Sequence, residues 1–225
     1  MHIGQEKIIE SVSRIRDSIP PNVTLLAAAK TRSLEEVEAV IQAGVTHIGY
    51  NYIQEALPFI QSIGARAKWH MIGHLQRNKA KDAVQNFDII ETIDSLRLAK
   101  KVDLYCEQIH TTMPVLIEIN SGKERNKTGI FPEELDELIE KTSVLKNIRI
   151  EGLMTMGPRF GDPEASRPYF ILAREAFERI AARNLANVNM CYLSMGMSNS
   201  YQIAIQEGAN IIRIGTKLFG QRAAP

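Results

Sequence analysis

Val23-Thr24-Leu25-Leu26-Ala27-Ala28-Ala29-Lys30 is a short run of apolar and small residues that ends on a lysine. A run of this kind, with little polar alternation, reads as a strand buried on both faces. The pattern recurs. Comparable runs lie at 46–49, 68–72, 89–93, 114–119, 148–154, 188–193 and 210–214, which with 23–29 makes eight. Amphipathic stretches separate them. Ser33-Leu34-Glu35-Glu36 opens one with the spacing of a capping box, and it closes near Gly44. Pro132-Glu133-Glu134 opens another, with Leu135, Leu138 and Ile139 on one face. Residues 94–109 and 163–183 carry two more, and residues 5–18 form a helix before the first strand. Pro20-Pro21 turns the chain into that strand.

Repeated strand–helix alternation implies parallel strands joined by right-handed crossovers. Eight such strands close a barrel. The expected fold class is therefore α/β, a (β/α)₈ TIM barrel that spans residues 1–225 as one domain. An open doubly wound sheet is the alternative. No GxGxxG follows the first strand, which counts against the dinucleotide-binding version of that fold.

Composition bounds the function. Lys plus Arg total 27 and Asp plus Glu 26, and the net charge of +1 supplies no long-range field for nucleic acid or an anionic membrane. No apolar stretch approaches the roughly 20 residues of a membrane span. The first residues lack the basic and apolar regions of a signal peptide. Cys106 and Cys191 have no CxxC spacing and read as reduced thiols. A cytoplasmic protein without nucleic-acid or membrane partners is the expectation, and no Asp/Glu/His set at ligand spacing suggests a metal site.

In a barrel, chemistry sits at the C-terminal ends of the strands. Lys30 directly follows the first strand, and Asn51, His74, Asn120, Thr155-Met156, Ser194 and Gly215-Thr216 follow the second, third, fifth, sixth, seventh and eighth. Lys30 is the sharpest signal. An apolar mouth desolvates an amine, lowers its pKa and makes it a better nucleophile toward an aldehyde. From the residue alone, a lysine snorkelling at a strand end is the competing reading.

Ser194-Met195-Gly196-Met197-Ser198 and Arg213-Ile214-Gly215-Thr216 form the second signal. The loops after strands seven and eight often build a barrel's phosphate site, where helix N-termini aim N–H groups at the anion. Gly196 and Gly215 would let backbone approach closely, and Ser and Thr hydroxyls would add donors. The alternative is plain capping: Ser198 on the helix through Ile203 and Ile205, and Thr216 on the last helix. His70 reads as a hydrogen-bonded core histidine, and His74 with Gln76 and Asn78 opens the next helix. Arg77, Lys79 and Lys81 read as a solvated face. The polar loop 121–129 either closes over the mouth or lies solvated.

Together these stretches resemble the pyridoxal phosphate homeostasis proteins, relatives of the N-terminal barrel of alanine racemase. The matching segments are LLAAAKTRS (25–33), IGYNYIQEA (48–56), WHMIGHLQRNKAK (69–81), IEINSGKERNKTGI (117–130), EGLMTMGP (151–158), LSMGMSNSYQIAI (193–205) and IIRIGTKLFGQR (211–222). The resemblance implies the type III fold of pyridoxal 5′-phosphate (PLP) proteins and makes Lys30 the Schiff-base lysine. It implies that Ser198, Gly215 and Thr216 cradle the phosphate, with Ser194 at the edge of the cup. Arg213 would face the pyridine nitrogen and Asn51 would lie near the ring. One departure is visible: the family reads Gly-Glu-Asn where this chain has Gly49-Tyr50-Asn51.

The expected function is a carrier that holds PLP as a Schiff base with little or no turnover and releases it to apo PLP-dependent enzymes. The chain ends at Pro225, just past the eighth strand, so no second domain is expected to cover the site. The alternative is a PLP-dependent amino-acid racemase, which needs a second base. Tyr50 and Tyr52, expected near the mouth, are the candidates for it.

Overall fold

The computed structural model describes residues 4–124, 127–158 and 161–221. Arg125 and Asn126 of the 121–129 loop, and Arg222 of the last matching segment, lie outside the described residues.

The strands are β1 (Thr24–Ala28), β2 (His47–Tyr50), β3 (Lys68–Met71), β4 (Ile89–Ile93), β5 (Met113–Ile119), β6 (Ile148–Thr155), β7 (Val188–Ser194) and β8 (Ile211–Ile214). Each pairs in parallel with its neighbours, and β8 returns to β1 with Arg213 beside Leu26, so the sheet closes as an eight-stranded barrel. Every strand falls within two residues of its expected bounds.

The crossovers carry α2 (Leu34–Gln42), α3 (Ile53–Ile63), α4 (Ala80–Asn86), α5 (Leu96–Gln108), α6 (Leu135–Ser143), α7 (Arg167–Ala181) and α8 (Tyr201–Gln206). Ser33 and Glu36 form the expected capping box on α2, and Ser95 accepts from Leu98 N–H to cap α5. After β8 the four-residue α9 (Thr216–Phe219) follows among the described residues. The leading helix α1 (Gln5–Asp17) packs against α2 and α9 and covers that side of the barrel.

Two cores result. The larger lies between strands and helices, where Ile48, Ile90, Val115, Ile117, Ile150, Ile212 and Ile214 meet Val37, Val102, Ile139, Phe170 and their neighbours, all buried. The smaller is Leu26, Ile72 and Ile211 with Ala28 and Tyr192. It belongs to the barrel interior, because Leu26 shares the register level of His47 and Arg213 on the adjoining strands. Much of the remaining interior is polar, as set out below.

One of the barrel's register shifts is at a place that glycine alone fits. The β6–β7 register shifts between Ile150 and Gly152, and Gly152 holds φ +154°. A Cβ on Gly152 would lie 1.8 Å from the Tyr192 carbonyl oxygen, so backbone would have to move. Gly152→Ala should therefore destabilise by about 3 kcal/mol, a fall in Tm of roughly 6–12 °C. Gly4→Ala, with open space around it, should change Tm little. Equal melting of the two variants by circular dichroism would refute the packing argument.

Candidate functional site at the barrel mouth

Lys30 lies two residues beyond β1, at the C-terminal end of the barrel. The turn that follows is held from several directions. Thr31 adopts φ 63°, its N–H donates to the Glu55 carboxylate of α3, and its hydroxyl donates to the Lys30 carbonyl at 2.6 Å. Arg32 donates to the Phe219 and Gly220 carbonyls at 3.3 and 2.7 Å and to Glu36 at 3.3 Å. A non-glycine residue at positive φ is unfavourable, so these bonds over-determine the turn. The half-buried Lys30 Nζ then sits 5.2 Å from the centroid of the exposed Tyr52 ring.

Asn51 directly follows β2. Its backbone packs so tightly on Gly73 that a Cβ there would lie 2.3 Å from the Asn51 carbonyl oxygen. The neighbouring tyrosines part company. Tyr52 is at the mouth, as expected. Tyr50 is not: it is fully buried in the layer outside the barrel, 5.3 Å from Phe59 and 6.3 Å from Trp69 between ring centroids. Successive residues of a strand face opposite ways, so the residue between Gly49 and Asn51 turns away from the interior. Its hydroxyl has no hydrogen-bond partner among the described residues.

The segments after β7 and β8 converge. Gly196 holds φ +88° with its would-be Cβ against Ala204 and Tyr201, and its carbonyl accepts from Arg213 N–H at 3.0 Å. Ser198 does not cap α8, which starts after Ser200. Its hydroxyl instead accepts from Gly215 N–H and Lys217 N–H, both at 3.3 Å, and so caps α9 from the preceding loop. Thr216 is the first residue of α9, not its cap. Sequence spacing pointed to the nearer helix; closure of the barrel brings the farther one to Ser198. Ser198, Gly215 and Thr216 thus lie together, with backbone N–H groups of a helix start between them.

Below the mouth runs a buried polar chain. Arg213 Nη1 donates to Ser194 Oγ at 2.6 Å, and Nη2 donates to the Thr155 carbonyl at 2.8 Å. Ser194 Oγ donates to Glu91 Oε2 at 2.6 Å. Glu91 Oε1 meets His70 Nδ1 at 2.6 Å, and His70 Nε2 meets His47 Nδ1 at 2.8 Å. β4 and β7 are three strands apart in the closed order, so the Ser194–Glu91 bond passes through the barrel interior. Burial raises the Glu91 carboxyl, but the hydrogen bond and charge of His70, then Arg213 and Ser194, outweigh it and hold Glu91 below the usual range. Burial pulls Arg213 down while Glu91 and Glu118 oppose that pull. His70 is the core histidine expected. Glu91, Glu118 and His47 were not singled out, although a carboxylate inside Ile89-Ile90-Glu91-Thr92-Ile93 is itself a signal of an interior partner.

Glu118 on β5 is also buried, and burial above all raises its carboxyl. Oε1 accepts from Thr128 at 2.7 Å, so the 121–129 loop is anchored over the mouth at that point. Asn120 ties the loop further through the Glu124 and Lys127 carbonyls. Glu118 lines a cavity of about 490 Å³ with Asn51, Tyr52, His74, Thr128 and Met156.

A closed parallel barrel with a lysine after its first strand and a glycine–serine cup after its last two is the architecture of one enzyme family's barrel. The alanine racemase N-terminal domain family matches residues 3–223. The chain belongs to this family and, within it, to the pyridoxal phosphate homeostasis proteins. The pyridoxal phosphate homeostasis protein of Aquifex aeolicus is 39% identical over 199 residues, 88% of this chain and 86% of that one. That of Escherichia coli K12 is 34% identical over 235 residues, covering 96% and 97%. Among solved structures, PipY of Synechococcus elongatus with PLP bound superposes with TM-score 0.87 at 31% identity, over 95% of this chain and all of that one. An alanine racemase of Clostridium difficile shares the fold, with TM-score 0.77 and 17% identity, and this chain covers 57% of it.

The interior chain makes stability depend on pH. Burial, then the charge of His70, push His47 from 6.5 down to about 4. A base with a depressed folded pKa favours the neutral form, so its contribution is full above the unfolded value and is lost as pH falls from about 6.5 toward 4. His47→Gln should therefore lose less Tm between pH 7 and pH 4.5 than the parent chain. An equal or larger loss would contradict this role.

Proposed function

We propose that this chain binds PLP at the barrel mouth as a Schiff base on Lys30 and serves intracellular PLP homeostasis, releasing the cofactor to apo PLP-dependent enzymes. The single observation that carries the reading is the convergence of three matched features at one mouth. These are a primary amine held by a clamped turn, a cup of backbone N–H groups with Ser198, and a buried guanidinium. They fit the aldehyde, phosphate and ring nitrogen of that cofactor respectively. Relatives named for pyridoxal phosphate homeostasis and the PLP-bound PipY structure support the same reading.

In this reading Lys30 supplies the nucleophilic amine. Ser198, Gly215 and Thr216 hold the phosphate; Ser194, expected at the edge of the cup, is instead fully buried, and its hydroxyl is taken up by Glu91 and Arg213, so it serves the guanidinium and not the phosphate. Asn51 borders the ring. Among the described residues the Nε–H of Arg213 has no hydrogen-bond partner, which leaves it free to donate to the ring nitrogen. When bound, the cofactor supplies an electrophilic carbonyl and an electron-withdrawing ring. The barrel is taken to act as a single PLP-binding domain.

Racemisation would need proton donors on two faces. With Tyr50 turned outward, Tyr52 is the tyrosine of the pair left at the mouth, and it lies beside Lys30. This disfavours the racemase alternative.

Borohydride treatment of the loaded protein should fix a pyridoxyl group on Lys30, and Lys30→Ala should lose the visible absorption band. A band that survives Lys30→Ala, or an adduct mapped elsewhere, would overturn the assignment. Each charge-assisted hydrogen bond to phosphate is worth roughly 1.5–3 kcal/mol. Ser198→Ala should accordingly weaken PLP about tenfold, and pyridoxal without its phosphate should bind far more weakly than PLP. Equal affinity for the two would remove the cup.

The carrier reading also makes a kinetic prediction. L-alanine incubated with the loaded protein in deuterium oxide should keep its chirality and exchange its α-proton slowly or not at all. Inversion at a kcat of about 1 s⁻¹ or more, abolished by Lys30→Ala, would promote the racemase.

A further inference from the structure

We infer that Glu91 is a positioning residue for Arg213: its buried negative charge, relayed by the Ser194 hydroxyl, seats the guanidinium where it meets the ring nitrogen of the cofactor. The inference rests on the PLP reading and goes beyond it, since Glu91 lies below the mouth and touches no part of the cup.

The geometry is specific. Ser194 Oγ has one proton. It gives that proton to Glu91 Oε2 at 2.6 Å and therefore offers only lone pairs to Arg213 Nη1, also at 2.6 Å. The hydroxyl thus transmits the carboxylate's charge in one direction. The second Glu91 oxygen is taken by His70, whose other ring nitrogen is taken by His47, so Glu91 cannot rotate without breaking a further bond. Glu91, His70 and Ser194 are fully buried and Arg213 is 4% exposed. A buried charge that loses its partner is strongly destabilised, so Arg213 would not keep this seat without Glu91.

A second buried carboxylate competes for the guanidinium. Glu118 also acts on Arg213 through its charge, and its Oε2 has no hydrogen-bond partner among the described residues. Arg213 therefore has an alternative direction available, toward β5 and away from β7. The Glu91–Ser194 bridge selects between the two. Neutralising Glu91 leaves Glu118 as the remaining carboxylate that acts on Arg213, and the guanidinium leaves the ring nitrogen while the fold and phosphate cup stay in place.

The test compares PLP with 1-deaza-PLP, in which carbon replaces the ring nitrogen, by equilibrium titration of the full chain. The parent chain should prefer PLP by about tenfold or more. Glu91→Gln keeps the shape of the side chain and removes its charge. Ser194→Ala removes the relay while keeping both charges, and so tests the inference where Glu91→Gln fails to fold. In each variant the preference should shrink to within about threefold, while affinity for 1-deaza-PLP stays within about threefold of the parent. Retained tenfold preference in the variants would overturn the inference, and so would an equal loss for both molecules, which marks a general structural role. A parent chain that binds both molecules equally overturns it while leaving the PLP reading intact. A parent chain that binds neither removes the PLP reading itself.

Discussion

The buried contact between Arg213 and Glu91 through Ser194 is the constraint around which the barrel interior is organised. A charge taken out of water costs several kcal/mol unless it is paired and its remaining polar atoms are satisfied. Here the guanidinium spends its Nη groups on Ser194 and the Thr155 carbonyl, and the carboxylate spends its oxygens on Ser194 and His70. Members of this set come from β3, β4, β6, β7 and β8, with His47 adding β2. A slip by one residue of β2, β3, β4, β7 or β8 would turn its side chain outward. The chain of bonds therefore fixes register around most of the barrel, a task that branched apolar layers usually perform inside such folds.

The two cores divide the work accordingly. The layer between strands and helices is apolar nearly throughout and supplies the burial that drives folding. The interior gives up much of that benefit: its apolar cluster is centred on Leu26, Ile72 and Ile211. What it gains is a directed stack of hydrogen bonds ending at the mouth, where Arg213 stands below the segments after β7 and β8. Polar networks of this kind rigidify when every member is satisfied. Glu118, whose Oε2 has no partner among the described residues, is the exception, and it lines the cavity at the mouth.

How much of this was legible in the sequence varies with the range of the interaction. Local periodicity located the strands, and Ser33 with Glu36 located a helix start, because both depend on neighbours within a few residues. The position of Lys30, Ser198 and Gly215 at one rim was legible because barrel closure places every strand end there. The partner of Ser198 was misread: capping is a short-range rule, whereas the N–H groups it meets lie 17 and 19 residues away. Tyr50 was placed at the mouth by its proximity to Asn51, against the alternation that turns it outward. Glu91 carried a signal, being a carboxylate in an apolar run, but its partner 103 residues away is set by the topology of the closed sheet and not by any local pattern.

The same interior chemistry bears on why a site of this composition would hold a cofactor more readily than use it. Guanidinium remains protonated in proteins even when burial opposes its charge, and two buried carboxylates favour that charge here. An arginine at the ring nitrogen can therefore only donate a hydrogen bond, and the nitrogen must stay unprotonated to accept it. An unprotonated pyridine withdraws electrons weakly, so a carbanion beside it gains little stabilisation. Had Glu91 itself reached the mouth, the opposite would hold, since a carboxylate beside the nitrogen favours its protonation. The interposed Ser194 and Arg213 convert a negative charge in the barrel interior into a hydrogen-bond donor facing the mouth, which is the arrangement the proposed carrier role calls for.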